Sequence, residues 1–188
     1  MTETELRERK ARFKIISRTL KKLFPDAKIA LTFKNNWELL VAVRLSAQCT
    51  DKKVNEITPA LFRTYRTLDD YIHAGRSPRD RVAFEKAIYQ TGFFRSKSRD
   101  ILAAAKDVKE RFNGKLPKTM AEMITIPGVG RKSANVILGN AYGVVEGIAI
   151  DTHMIRLSRA LGLSSEKTPE KIERDLMKII PREDWFIS

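Results

Sequence analysis

Ile126-Pro-Gly-Val-Gly-Arg-Lys-Ser-Ala134 is the stretch that decides how this chain is read. A helical segment closes at Pro127, Gly128 and Gly130 flank Val129 in a tight turn, and a new helix starts at Arg131. Glycine accepts positive φ and lets another backbone approach closely. Backbone N–H groups in such a turn, and in the first turn of the helix after it, point outward and favour an anion. A plain corner between two helices, with glycine needed for packing, explains the same residues equally well. On the residues alone both readings stay open.

The segments on either side are helical in pattern. Ala134, Ile137, Leu138 and Ala141 form one stripe of a helix that runs to about Tyr142, and Thr119-Met-Ala-Glu122 fits a capping box upstream. Farther out, Thr4 to Phe24 is rich in helix formers and stops at Pro25. Asn36 caps a second helix, Trp37 to Gln48, apolar nearly all round. A third spans about Thr50 to Tyr65, with Pro59 breaking or kinking it. Thr67 opens a short helix, Ser77-Pro78 opens one that Gly92 ends, and Ser96 to Phe112 is long and amphipathic. Val144 to Ile150 reads as an extended connector. Asp151 starts a helix ended by Gly162, and Thr168-Pro169 starts the last, ended by Pro181. No alternating strand pattern of useful length occurs, so the expected fold class is all-α, with about ten short helices. Phe33 and Trp37 are expected in the core and His73 on the surface. The run from Arg7 to Arg12 is expected to be a solvated face.

The length of 188 residues corresponds to one to one and a half domains. Hydrophobic residues at 43 % and charged ones at 31 % exclude wholesale disorder. Lys and Arg number 36 against 23 Asp and Glu, a net charge of +13. That surplus points to a polyanionic partner, nucleic acid first and an acidic membrane surface second. No apolar run approaches the roughly 20 residues needed to cross a bilayer, and Met1 to Lys10 has no signal-peptide character. Cys49 is the only cysteine, which excludes a disulfide framework and a cysteine-rich metal site built from this chain. His73 and His153, the only histidines, lie too far apart in sequence to suggest a His-rich site.

Lys132 falls off the apolar stripe, toward the helix start. It reads either as a solvated phosphate contact or as a nucleophilic amine. Free lysine, with a pKa of roughly 10.4, is a poor nucleophile at neutral pH. Desolvation, the neighbouring Arg131 and the positive helix end would all activate it. Asp151 reads as an ordinary N-cap, a role that also fixes its carboxylate in place. A fixed negative charge is what a cationic sugar transition state needs.

Pro127-Gly-Val-Gly-Arg-Lys-Ser-Ala-Asn135 followed by Ile150-Asp-Thr-His-Met-Ile-Arg156 resembles the helix–hairpin–helix DNA glycosylases, and within them the endonuclease III family. Leu45-Ser-Ala-Gln-Cys-Thr-Asp-Lys-Lys-Val-Asn55 is similar to that family's Leu-Ser-Ala-Gln-x-Thr-Asp motif, and Gly92-Phe-Phe-Arg-Ser-Lys-Ser98 to its Gly-x-Tyr/Phe-x-x-Lys-Ala segment. The resemblance covers the chain from about Phe24 onward. It implies two helical lobes with a DNA-binding cleft between them: residues 30–143, and residues 1–29 with 144–188. It implies a base-excision-repair glycosylase with AP lyase activity, acting on oxidised pyrimidines in duplex DNA. Lys132 would be the Schiff-base nucleophile, with strand cleavage 3′ to the lesion by β-elimination, and Asp151 the catalytic carboxylate. Gln48 would enter the gap left by the flipped nucleotide, and Phe93, where the family often has Leu, would wedge beside the orphaned base. Gly128, Val129, Gly130, Arg131 and Ser133 would hold DNA phosphate at the hairpin, with His153 a further DNA contact.

The family's four-cysteine loop, which holds a [4Fe–4S] cluster, has no counterpart before Ser188, and Cys49 cannot replace it. No metal or cofactor is expected on this chain itself. The cluster is expected only if the full protein carries such a C-terminal segment, and the ending Asp184-Trp-Phe-Ile-Ser188 is expected to mark a truncation. The further expectations are double-stranded DNA carrying damaged bases or abasic sites as partner, a monomer, no membrane, and a cytoplasmic, nucleoid-associated place if the source is prokaryotic. Two other functions fit the same residues: a non-catalytic DNA-binding fragment, and a glycosylase preferring other lesions such as oxidised purines.

Overall fold

Side chains that cap helices set most of the element boundaries in the computed structural model, which describes residues 2–186. Thr2 opens α1 (Glu3–Leu23) through a reciprocal capping box with Glu5. Asn35, one residue before the expected Asn36, caps α2 (Asn36–Ser46) by accepting the Glu38 N–H at 2.9 Å. Thr50 caps α3 (Asp51–Thr64), Thr67 caps α4 (Leu68–Ala74) and Ser77 caps α5 (Pro78–Ile88). A 3₁₀ turn, Tyr89–Thr91, then leads to α6 (Phe94–Arg111), which starts two residues before the expected Ser96. Thr119 caps the single turn α7 (Met120–Met123). Next come α8 (Arg131–Tyr142), α9 (Thr152–Ala160) and α10 (Pro169–Ile179), and a second 3₁₀ turn follows at Arg182–Asp184. Among the described residues there is no strand, so the class is all-α. No helix there is long and apolar enough to cross a membrane.

Of the two expectations for Pro59, a break is excluded: α3 runs through it. The proline is exposed, while Val54, Thr58 and Leu61 are buried on either side of it and hold the helix against its neighbours. That burial outweighs the one backbone hydrogen bond proline removes. Helix α2 ends at Ser46 and not at Gln48. The Ser46 hydroxyl folds back onto the Val43 carbonyl at 3.0 Å, and the Cys49 N–H closes a turn onto the Ser46 carbonyl at 3.0 Å.

The chain divides into two compact units, one of Ala30–Val144 and one joining Met1–Ile29 to Val145–Ser188. In the first, α2 is buried nearly all round through Leu39 to Val43 and Leu45, and packs against α3, α6 and α8. Tyr71, Phe84 and Tyr65 meet edge-on or tilted beside it, with Trp37 against Tyr71 at 5.2 Å. Trp37 and Phe33 are half-buried, not fully interior as expected, and His73 lies on the surface of α4. In the second unit Phe13 of α1 joins Ile148, Ile150, Leu163, Ile172, Leu176, Ile179 and Ile180 in one core. The Arg7–Arg12 run is more than a solvated face. Arg9 donates to the Leu163 carbonyl at 3.1 Å, and Arg12 to the Gly162 carbonyl at 2.7 Å, closing the end of α9.

Candidate functional site

The two hairpin glycines do different work. Gly128 has φ +79°, and a Cβ there would sit 2.7 Å from the Asp100 Cβ and 2.9 Å from the Arg44 Nε. It packs against an ion pair in which the Arg44 Nη2 meets the Asp100 Oδ2 at 2.6 Å. Gly130 has ordinary φ, −91°, and a Cβ there would meet nothing within 4 Å. Packing explains the first glycine, while the second leaves open space at the start of α8. No side chain caps α8, unlike α1 to α5, α7 and α9. The first-turn amides of an uncapped helix favour an anion from outside.

Lys132 stands in that first turn and is exposed, as is Arg131, and Ser133 is half-buried. Exposure removes burial from the expected ways of activating the Lys132 amine. Arg131 precedes it as the first residue of α8. The Val129 side chain is buried and its N–H donates to the Ile126 carbonyl at 3.1 Å, which holds the turn.

In the same unit, three non-glycine residues among those described have positive φ: Gln48 (53°), Phe93 (48°) and Asn113 (51°). Two of these are the residues expected to enter DNA. Left-handed backbone at a non-glycine residue costs on the order of 1–3 kcal/mol and concentrates where structure serves function. Both side chains are exposed, Phe93 to 68 %, so neither repays that cost by burial. Phe93 also occupies the N-cap position of α6, where no side chain caps the helix.

Asp151 belongs to the other unit. Its Oδ1 accepts the His153 and Met154 N–H groups, each at 2.9 Å, as the N-cap of α9. Among the described residues Oδ2 accepts no hydrogen bond. The connector before it is pinned by Ile148 and Ile150 in the core and by the Ile148 N–H donating to Glu173 at 3.2 Å. His153 is exposed in the first turn of α9. Cys49 is half-buried beside Gln48, and no group of three potential metal ligands occurs among the described residues. A four-thiolate cluster needs four cysteines, so the residues of this chain do not fit one.

Arg44 and Asp100 were not foreseen as parts of this region, and Lys97 entered only within the Gly92–Ser98 segment, with no role assigned. The signal for Lys97 is its place in α6: it falls at the spacing of Ile101, Ala104, Ala105 and Val108, all buried. A lysine on an apolar stripe marks a cation drawn inside.

Residues 41–182 match the model of the HhH-GPD superfamily base excision DNA repair proteins. The chain is 47 % identical over 166 residues to endonuclease III of Synechocystis sp., covering 88 % of this chain and 74 % of that protein. Identity to endonuclease III of Bacillus subtilis is 39 % over 167 residues, with the same coverage. The fold superposes on a non-covalent endonuclease III–DNA complex with a TM-score of 0.88 and 41 % identity, over 95 % of this chain and 81 % of that one. It superposes on a trapped endonuclease III–DNA covalent intermediate at 0.87, also 41 % identical, over 94 % and 80 %. A thermostable thymine-DNA glycosylase shares the fold at 0.76 and 15 % identity, over 93 % and 81 %. The chain therefore belongs to the HhH-GPD superfamily of base excision DNA repair proteins, with the all-helical fold of endonuclease III.

Proposed function

We propose that this chain is a DNA glycosylase with AP lyase activity, acting on oxidised pyrimidines in duplex DNA. The observation that carries the reading is Lys132, an exposed amine in the uncapped first turn of α8, beside the open space at Gly130. Hairpin amides hold a phosphate, and Gln48 and Phe93 support the duplex once the damaged nucleotide has left the stack. Flipping costs a few kcal/mol, which these insertions offset.

The Lys132 amine, in its neutral form, donates its electron pair to the anomeric carbon C1′. The C1′–N bond breaks, and its electron pair leaves with the base, which gains a proton. The amine then sheds a proton, the C1′–O4′ bond opens as O4′ takes up a proton to become a hydroxyl, and a protonated Schiff base forms. Loss of a C2′ proton expels the 3′ phosphate and cuts the strand. Asp151 supports the cationic sugar through a carboxylate whose Oδ1 is fixed by two backbone amides, leaving Oδ2 to face charge or accept a proton.

Borohydride trapping on a thymine-glycol duplex tests this, since only a Schiff base is reduced to a covalent adduct. The expected result is a crosslink with the native chain and none with Lys132→Gln, which still binds duplex. Binding without any crosslink would instead make the chain a DNA-binding fragment. Faster base release from oxidised purines would reassign the substrate.

A further inference from the structure

Lys97 is the one buried lysine among the described residues, 1 % exposed. Its Nζ donates to the Leu45 carbonyl at 2.8 Å and to the Thr91 carbonyl at 2.7 Å. Leu45 lies in the last turn of α2, where carbonyls lack helical partners and a cation is well placed. Thr91 ends the 3₁₀ turn before α6. Three residues beyond Leu45 stands Gln48, and two beyond Thr91 stands Phe93, both exposed and both held at positive φ. One ammonium group therefore joins the roots of both strained turns.

Burial pushes the Lys97 amine below the ordinary lysine range. An apolar side chain on the same stripe would avoid that desolvation, but it could not tie two carbonyls from separate segments to one point. Packing alone does not call for a lysine here.

We propose that Lys97 is a positioning residue for nucleotide extrusion, fixing the spacing between the Gln48 and Phe93 tips through the Leu45 and Thr91 carbonyls. The inference rests on the reading of those two side chains as the ones that enter the duplex. It places Lys97 outside the bond-breaking chemistry: its loss slows extrusion and leaves the Lys132 reaction intact once a sugar is presented.

The test compares the native chain with Lys97→Met on two substrates under single-turnover conditions. One is thymine glycol in a duplex, which must be extruded; the other is an abasic site in a single strand, which need not be. The expected loss is about tenfold or more on the first and less than about threefold on the second. A third readout is 2-aminopurine opposite a tetrahydrofuran abasic analogue, whose fluorescence rises when the orphaned base is unstacked. Lys97→Met at saturating concentration should give less than half the native rise. Equal losses on both substrates, or an unchanged rise, would overturn the proposal. A native chain that neither releases the base nor unstacks the probe would overturn the glycosylase reading and this inference together. If Lys97→Met does not fold, Gln48→Ala, Phe93→Ala and their double variant, all at exposed positions, carry the test. Rigidly spaced tips make the two losses non-additive, and additive losses would overturn the proposal.

Discussion

A methyl group placed at either hairpin glycine separates packing from binding. At Gly128 an alanine Cβ collides with the Asp100 Cβ and the Arg44 side chain, on a backbone with φ +79°. Gly128→Ala should lower stability by about 2 kcal/mol or more, seen as a fall in Tm. At Gly130 the same methyl meets only open space on an unstrained backbone. Gly130→Ala should shift stability by only about 0.5 kcal/mol yet weaken duplex binding roughly tenfold, because the methyl occupies the approach to the uncapped amides. Equal effects on Tm and on binding in both variants would contradict this division. Of the two explanations open at the sequence level, packing holds at Gly128, and the Gly130 variant tests the other. Residue identity could not separate them, because the difference lies in what stands opposite each missing Cβ.

Helix starts were the most legible elements, because a capping side chain is a local signal. Thr67, Ser77, Thr119 and Asp151 cap where their patterns place them. Asn35 and Asn36 are adjacent and chemically identical, and only backbone geometry chooses between them. One feature escaped because it depends on tertiary context: the strain at Gln48 and Phe93. The roles expected of Gln48 and Phe93 came from a family resemblance; nothing in their own residue types announces positive φ. Helix α10 offers an energetic test at this scale. Leu176 is fully buried in the core shared with Phe13 and Ile172. Leu176→Ala should cost about 2–5 kcal/mol, measured by urea unfolding. A cost below about 1 kcal/mol would mean that this core is loosely packed.

Across the whole molecule, a charge of +13 sets how binding responds to salt. If the chain neutralises about six phosphates, duplex affinity should fall roughly 10³-fold between about 50 and 200 mM salt. Lys132→Gln should reduce the log–log slope by about one if Lys132 also contacts phosphate. A flat salt dependence would remove nucleic acid as the reason for the charge. The division into units has a different consequence, for the order of events during synthesis. The unit that carries Asp151 is discontinuous: α1 lies on one side of Ala30–Val144 in the chain, and the rest of its core on the other. Domains generally fold as they leave the ribosome. The continuous unit, with its hairpin and both strained turns, is therefore complete while Phe13 still waits for the partners encoded after Val144. A nascent chain completes the hairpin and both strained turns before it gains the residue that caps α9.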